Sequence, residues 1–492
     1  MVHKLLTIQE CEQLEPEKIQ QLYRQFVNPG QVELLSSFAF GRELVVRAQG
    51  CLLETDSGRT ILDFTGGMGV LNHGHNHPRI LEVRQHFAQQ QRLEVHKNYL
   101  CPHLAALSHN IATLLPDDLN ICYFPNSGAE AVEGALKMAY KYHHGERRQI
   151  LHSDISYHGK LLGAGSLSAS AELQFRFPEI PGTHAFEYGN IHSVRELINT
   201  LRKADGSSDV YALIIEPMSA STLLHCDRDH LQALRKLCDQ EGIILIFDEV
   251  FSGWCKTGEL FYFMEQQVTP DLLVTSKSMG GGKASISAFI AREPVFRQAY
   301  GALSDALMHS TTYNGFGEEC ATALEAVNIL VDERFSERAK CIGTQLRNGL
   351  TALCSKYPDL IQDVRGQGAL QGVLLKSDFG WINALANRVP VGLLQDERFT
   401  AKLINAAVIS RLYSEHNILT YYGENREILL MAAPSLVITP DEIDQFLQAL
   451  DLTLAQGWLT LCSRFIGSKL FTGFMQRIKR EPRFEKQCPD ER

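Results

Sequence analysis

The stretch Ile243-Ile-Leu-Ile-Phe-Asp248-Glu249-Val250, followed by Asp271-Leu-Leu-Val-Thr-Ser-Lys277, decides how this chain is read. Each half is a short apolar run that ends in charge. Ile243–Phe247 is too short for a helix and is apolar throughout, so it reads as a strand buried on both faces. An acid at the C-terminal end of such a strand stands where open α/β sheets place their ligands; the plainer alternatives are a helix cap and a surface acid. Lys277 arrives at the end of the next run, 29 residues after Asp248, with Gly280-Gly281-Gly282 behind it. A lysine there is costly to desolvate unless it has a partner or a task.

Working outward, Ile121–Phe124, Ala212–Ile215 and Leu272–Thr275 repeat the pattern of a short apolar run bounded by polar or turn residues. Helical patterns at Ala129–Tyr142 and His230–Gln240 lie between them. Strand–helix alternation from about 60 to 335 predicts an α/β fold with right-handed crossovers and a mainly parallel sheet covered on both faces. The flanks differ. Residues 15–28 read as a helix stopped by Pro29-Gly30, and 42–64 as short strands around a turn at Asp56-Ser-Gly58. After 335 come a long helix over Glu337–Lys356, strands over Gly366–Leu375, and a regular helix opened by Thr439-Pro440-Asp-Glu442. The expected division is 1–60 as the N-terminal segment of a small domain, 61–335 as a large domain, 336–455 as the rest of the small α+β domain, and 456–492 as an extension.

Composition narrows the class. Of 492 residues 45% are apolar and 21% charged, which is ordinary globular usage and excludes global disorder. Lys plus Arg total 47 against 57 Asp plus Glu, a net charge of −10, so nucleic acid is not the expected partner. Twelve cysteines without a CxxC pair read as buried free thiols of a reducing compartment. No secretory signal opens the chain and no apolar run is long enough to span a bilayer, so the expected setting is cytoplasmic. From Gly457 to Arg480, apolar Leu459, Phe465, Leu470, Phe474 and Ile478 alternate with Arg464, Lys469, Arg477, Lys479 and Arg480. Such a basic amphipathic helix can lie on an anionic membrane; the plainer reading docks it on its own protein or a dimer mate.

An aldehyde cofactor gives Lys277 its task, because an amine condenses with an aldehyde to a Schiff base. Asp248 would then hold a pyridine nitrogen protonated and make the ring an electron sink. Asn126-Ser-Gly-Ala-Glu130, directly after the strand at 121–124, opens a helix whose free N–H groups and dipole attract a phosphate. Three histidines at His73, His75 and His77 invite a metal reading, but Gly74 and Pro78 argue for a turn and no acid or cysteine follows nearby, so no metal is expected.

These motifs resemble those of the class III, subgroup II pyridoxal-phosphate aminotransferases, the group of the ornithine, acetylornithine, 4-aminobutyrate and putrescine enzymes. The resemblance runs from about 35 to 455 through five segments in order: Asn126–Ala131, Tyr157-His158-Gly159-Lys160, Asp248-Glu-Val through Thr257–Phe261, Ser276-Lys277, and His309–Gly315. It implies fold type I, with a large domain on a seven-stranded sheet, a smaller domain, and active sites shared across a homodimer. It implies Lys277 as Schiff-base lysine and general base, Asp248 as partner of the ring nitrogen, and Ser127, Gly128 and Ala129 at the phosphate. Tyr157 would stack on the ring, beside His158 and Val250. Thr312, with Thr311 beside it, would reach the phosphate of the neighbouring subunit. The reaction implied is ping-pong transamination; the same fold and cofactor also serve racemases, decarboxylases and lyases, and a non-catalytic scaffold would need a broken catalytic set.

Departures from the family pattern point to the substrate. Met431 stands three residues before Pro434, where relatives carry an arginine that grips a substrate carboxylate. A thioether cannot pair with a carboxylate. Glu216-Pro-Met-Ser-Ala-Ser221 lacks the Gln and second Glu of the usual segment, and Phe251 replaces a Gln that contacts the cofactor. Met68 lies where a substrate-contacting tyrosine is common, and Lys160 where the ornithine enzymes have Arg. Together these substitutions describe an apolar pocket without an α-carboxylate grip.

Overall fold

The computed structural model describes residues 5–169, 178–377, 398–468 and Met475. Strands are numbered along the chain. Val45–Gln49 (β1), Leu52–Thr55 (β2) and Thr60–Asp63 (β3) form an antiparallel meander. The central region supplies Leu119–Tyr123 (β4), Gln149–Ser153 (β5), Thr183–Phe186 (β6), Val210–Ile215 (β7), Ile244–Asp248 (β8), Leu272–Thr275 (β9) and Ala288–Arg292 (β10). The last third adds Ile361–Gln367 (β11), Leu370–Leu375 (β12), Ile418–Leu419 (β13), Tyr421–Glu424 (β14) and Ile428–Ala432 (β15).

Seven strands make one sheet in the order β4-β10-β9-β8-β7-β5-β6. The pairings from β9 through β6 are parallel, whereas β10 runs antiparallel to both neighbours. The centre of the sheet is apolar on both faces: all six residues of β7 and all five of β8 are buried. That burial is why Ile243–Phe247 is continuously apolar rather than alternating. The helices Gly128–Tyr142 and Arg228–Glu241 cover the sheet and bury Val132, Leu136 and Met138, and Leu231, Leu234 and Leu237, respectively.

A second sheet joins the chain's two ends. Its order is β1-β2-β3-β13, and β13 pairs parallel with β3 through Ile418 and Leu62. The third sheet, β11-β12-β15-β14, is antiparallel. The helix Pro440–Leu454 opens as expected, with a capping box between Thr439 and Glu442.

One local expectation is corrected. Pro29 opens a helix, Pro29–Ser37, because its fixed φ suits the first turn and Asn28 accepts from Gly30 N at 2.8 Å. The preceding helix, Pro16–Leu22, has already loosened into a π-helical turn over Tyr23–Val27. As in the plainer reading of the basic stretch, Pro440–Leu454 is followed by another helix, Gly457–Gly467, which buries Trp458, Leu461, Cys462, Phe465 and Ile466 and packs on the helix Phe399–His416. The described start of the basic extension is therefore a docked helix, with Leu459 on its exposed side. Lys469, Leu470, Phe474, Arg477, Ile478, Lys479 and Arg480 lie outside the described residues. No described helix is long and apolar enough to cross a membrane, and no described cysteine is paired.

Candidate active site

Four motifs distant in sequence meet at the start of the helix Gly128–Tyr142. Ser127 caps this helix, its Oγ accepting from Glu130 N at 3.3 Å and donating to Glu130 Oε2 at 3.0 Å. A Cβ at Gly128 would lie 3.1 Å from Val250 and 3.6 Å from Ser276, and a Cβ at Gly159 would lie 2.6 Å from that of Ala129. The phosphate-type turn thus touches the segments that carry Asp248, Lys277 and Tyr157. First-turn N–H groups have no acceptor within their own helix, and Ser127 takes that of Glu130.

Asp248 ends β8 and is buried. Its Oδ2 accepts from His158 Nδ1 at 2.7 Å and its Oδ1 from Val250 N at 2.9 Å. His158 is buried too; its backbone N donates to Ser168 Oγ at 2.9 Å, and its Nε2 has no partner. Replacing His158 by Phe removes one of the two donors while filling similar space. We expect about a tenfold loss of kcat and a stability loss of about 1–3 kcal/mol, read by turnover and thermal unfolding. Unchanged kcat would deny the imidazole any part in holding Asp248.

Lys277 begins a 3-10 turn, Lys277–Gly280, with left-handed φ of +51°. A non-glycine residue in that region is strained, and such strain gathers at functional sites. Burial lowers its pKa from 10.5 to about 8, although Asp248 and Glu216 pull the other way. Its Nζ stands 4.1 Å above the Phe251 ring, an apolar and weakly attractive seat. Glu216, just past β7, accepts from Tyr157 N at 2.8 Å and Ala220 N at 2.9 Å, and burial pushes its pKa up.

The Gly66–Gly69 turn closes over Phe251 and Lys277. Gly66, Gly67, Met68 and Gly69 all have positive φ, and a Cβ at Gly69 would lie 2.9 Å from Phe251 and 3.4 Å from Lys277 Cδ. Met68 is half-exposed on this turn. Met431 is fully buried in β15, with its sulfur 3.3 Å from where a Cβ at Gly423 would be. Gly423 in turn abuts Ser221 O, in the loop that follows Glu216. Lys160 is exposed, and Tyr157 is 45% exposed. Thr311 Oγ1 lies 3.4 Å from Asn126 Oδ1 of its own chain, whereas Thr312 is exposed.

The three histidines go separate ways: His73 Nε2 to Ala326 O, His75 Nε2 to Asp63 Oδ2, and His77 Nε2 to Glu333. The sequence assigns no role to three charged groups that the structure buries. Glu249 is a buried cap that accepts from Tyr262 N, Phe263 N and Ser252 Oγ. Glu216 ends a wholly apolar strand just as Asp248 does, and the same rule applied to β7 would have found it. Lys256 is fully buried and had no sequence signal.

A buried acid–imidazole pair, a lysine of lowered pKa and a helix N-terminus around one point suit pyridoxal phosphate: a phosphate end, a ring-nitrogen end and an amine between. The chain belongs to the class-III aminotransferases, whose family model matches residues 40–454, and is a pyridoxal-phosphate-dependent aminotransferase. Solved structures agree on the fold. The ornithine aminotransferase from Toxoplasma gondii matches with a TM-score of 0.75 at 24% identity, over 92% of this chain and 98% of that one. An (S)-enantioselective omega-transaminase from Thermomicrobium roseum matches at 0.72 and 24%, over 92% and 96%. Acetylornithine aminotransferase from Elizabethkingia anophelis matches at 0.70 and 24%, over 90% and 99%.

Proposed function

We propose that the chain moves an amino group between an amine lacking an α-carboxylate and an oxo acid or aldehyde. When bound, pyridoxal phosphate supplies an aldehyde that exchanges amino groups and a ring that accepts electrons. Ser127, Gly128 and Ala129 would hold its phosphate at the helix N-terminus, with Thr311 or Thr312 adding a hydroxyl. Tyr157 would cover the ring, and Asp248, aligned by His158 and Val250 N, would face the ring nitrogen. Lys277 would carry the proton between donor and acceptor carbons; its pKa of about 8 leaves about a tenth of it neutral at pH 7, far more than an unburied lysine would have.

The observation that carries the substrate class is Met431, a fully buried thioether in place of a guanidinium, together with Phe251 beneath Lys277. A carboxylate brought here would lose hydration without gaining a bidentate partner. Lys160 would serve a distal carboxylate at most. A panel of alkylamines and diamines against ornithine and acetylornithine, at matched concentrations, tests the reading. The amines should show kcat/KM at least about tenfold higher; preference for the α-amino acids would sink the idea.

Residues 61–335 would act as the cofactor domain, and 1–60 with 336–455 as the small domain; the sheet that joins β1–β3 to β13 supports grouping the two terminal segments, and since β13 pairs with Leu62 and Asp63 the first boundary falls just after β3. A homodimer is supported by exposed Tyr99, Leu100, Leu303 and Leu307, apolar side chains that a lone subunit would leave in water. The buried free thiols suit the reducing cytoplasm.

A further inference from the structure

Lys256 is completely buried, and the reaction makes no use of it. Its Nζ donates to Ala433 O at 3.2 Å and Pro434 O at 2.5 Å, the two carbonyls that follow β15. A Cβ at Gly66 would lie 3.4 Å from the same nitrogen, so the amine also bears on the first residue of the Gly66–Gly69 turn. The backbone of Lys256 is held as tightly: its carbonyl accepts from Ala369 N at 3.0 Å, and Gly368 packs against Lys256 O and Thr257. One side chain therefore ties the segment after Asp248 to the exit of the strand that carries Met431, with the first residue of the turn over Lys277 packed beside it.

The bonding is that of a pin rather than an ion pair. Nearby Asp63 is occupied by Thr65 N at 2.8 Å, Thr65 Oγ1 at 2.6 Å and His75 Nε2 at 2.9 Å. Burial lowers the pKa of Lys256 to about 7, and an amine donates to carbonyls whether charged or neutral. An apolar residue of the same length would orphan two buried carbonyls, which is costly. The far end of the pinned turn reaches the chemistry: Gly69 O accepts from Ser278 Oγ at 2.8 Å, and Gly69 abuts Phe251 and Lys277. Met68 lies between the two ends.

We propose that Lys256 is a positioning residue for the amine substrate: by holding Ala433 and Pro434 in place against Gly66 it sets the spacing of Met68 and Met431 from Lys277. It rests on the reading above that Met68 and Met431 bound the substrate. The test uses the holoenzyme with Lys256→Met, Lys256→Arg and Met68→Ala, measuring thermal unfolding, the cofactor's visible spectrum, and kcat and KM for the best donor in the amine panel. Lys256→Met should raise KM about tenfold with kcat within about threefold and an unchanged spectrum. Lys256→Arg, whose fork also reaches two carbonyls, should recover at least half of that change. KM within twofold of the parent in Lys256→Met, or loss of kcat and cofactor without a KM change, overturns the proposal. If Lys256→Met does not fold, Gly66→Ala decides, because its Cβ would press on Ala433 O at 2.5 Å from the other side of the pin. The same KM rise supports the proposal, and an unchanged KM overturns it. If Met68→Ala shifts donor preference while the Lys256 variants leave KM alone, only this inference falls. If Met68→Ala shifts nothing, the substrate reading falls with it.

Discussion

Replacing Lys277 by alanine is expected to reduce turnover by at least about 10⁴-fold and to remove the visible band of lysine-bonded cofactor, while the fold survives. The size follows from two tasks in one amine: bonding the aldehyde and carrying the proton. No neighbour can take over, since the nearby Glu216 is held by two backbone donors and Lys256 by two carbonyls. The fold survives because Lys277 is a net cost to it: burial dominates its lowered pKa. The sign can be tested on the cofactor-free protein. Between about pH 8 and 10.5 the unfolded chain binds more protons at this site than the folded one, so stability rises with pH across that window. The parent should gain stability relative to Lys277→Ala from pH 8 to 10. In the holoenzyme, the rate of the proton-transfer step should climb with pH through about 8 and level above it, as the neutral amine becomes the dominant form. An unchanged visible spectrum in Lys277→Ala would falsify the assignment.

Much of this was legible because the chemistry sits at the ends of buried strands. A run such as Ile243–Phe247 admits one local reading, and the side chain that ends it points at the ligand edge of the sheet. The seven-stranded sheet, the helix capped by Ser127 and the meeting of Asp248, Lys277 and Tyr157 followed from that rule together with family resemblance. What stayed hidden has physical causes. Lys256 lies in no strand, and its acceptors are main-chain carbonyls 177 and 178 residues away, which no side-chain pattern records. The antiparallel course of β10 depends on the pairing of Ala288–Arg292 with two neighbours, and an apolar run reads alike in either direction. Pro29-Gly30 reads as a stop because Pro-Gly commonly ends helices; Asn28 as a cap turns the same dipeptide into a start.

Asp248→Asn should keep the fold and lose about 10³-fold in kcat. The substitution preserves shape, and the hydrogen bonds can be re-made. Val250 N can still donate to the amide oxygen. His158 Nδ1 can switch from donor to acceptor of the amide N–H by moving its proton to Nε2, the atom now without a partner. What cannot be re-made is the charge. A unit pair at about 4 Å in an effective dielectric near 20 is worth about 4 kcal/mol, which is about a thousandfold in rate if it is felt mainly in the transition state. Asp248→Ala separates the two contributions, because it orphans His158 Nδ1 and Val250 N as well and should also lower thermal stability, by about 1–3 kcal/mol for a buried donor left unpaired. The expected pattern is therefore a similar fall in kcat for both variants but a lower melting temperature for the alanine alone. If Asp248→Asn retained kcat within tenfold, the carboxylate would be a structural anchor for His158, and the ring-nitrogen role would have to pass to another group.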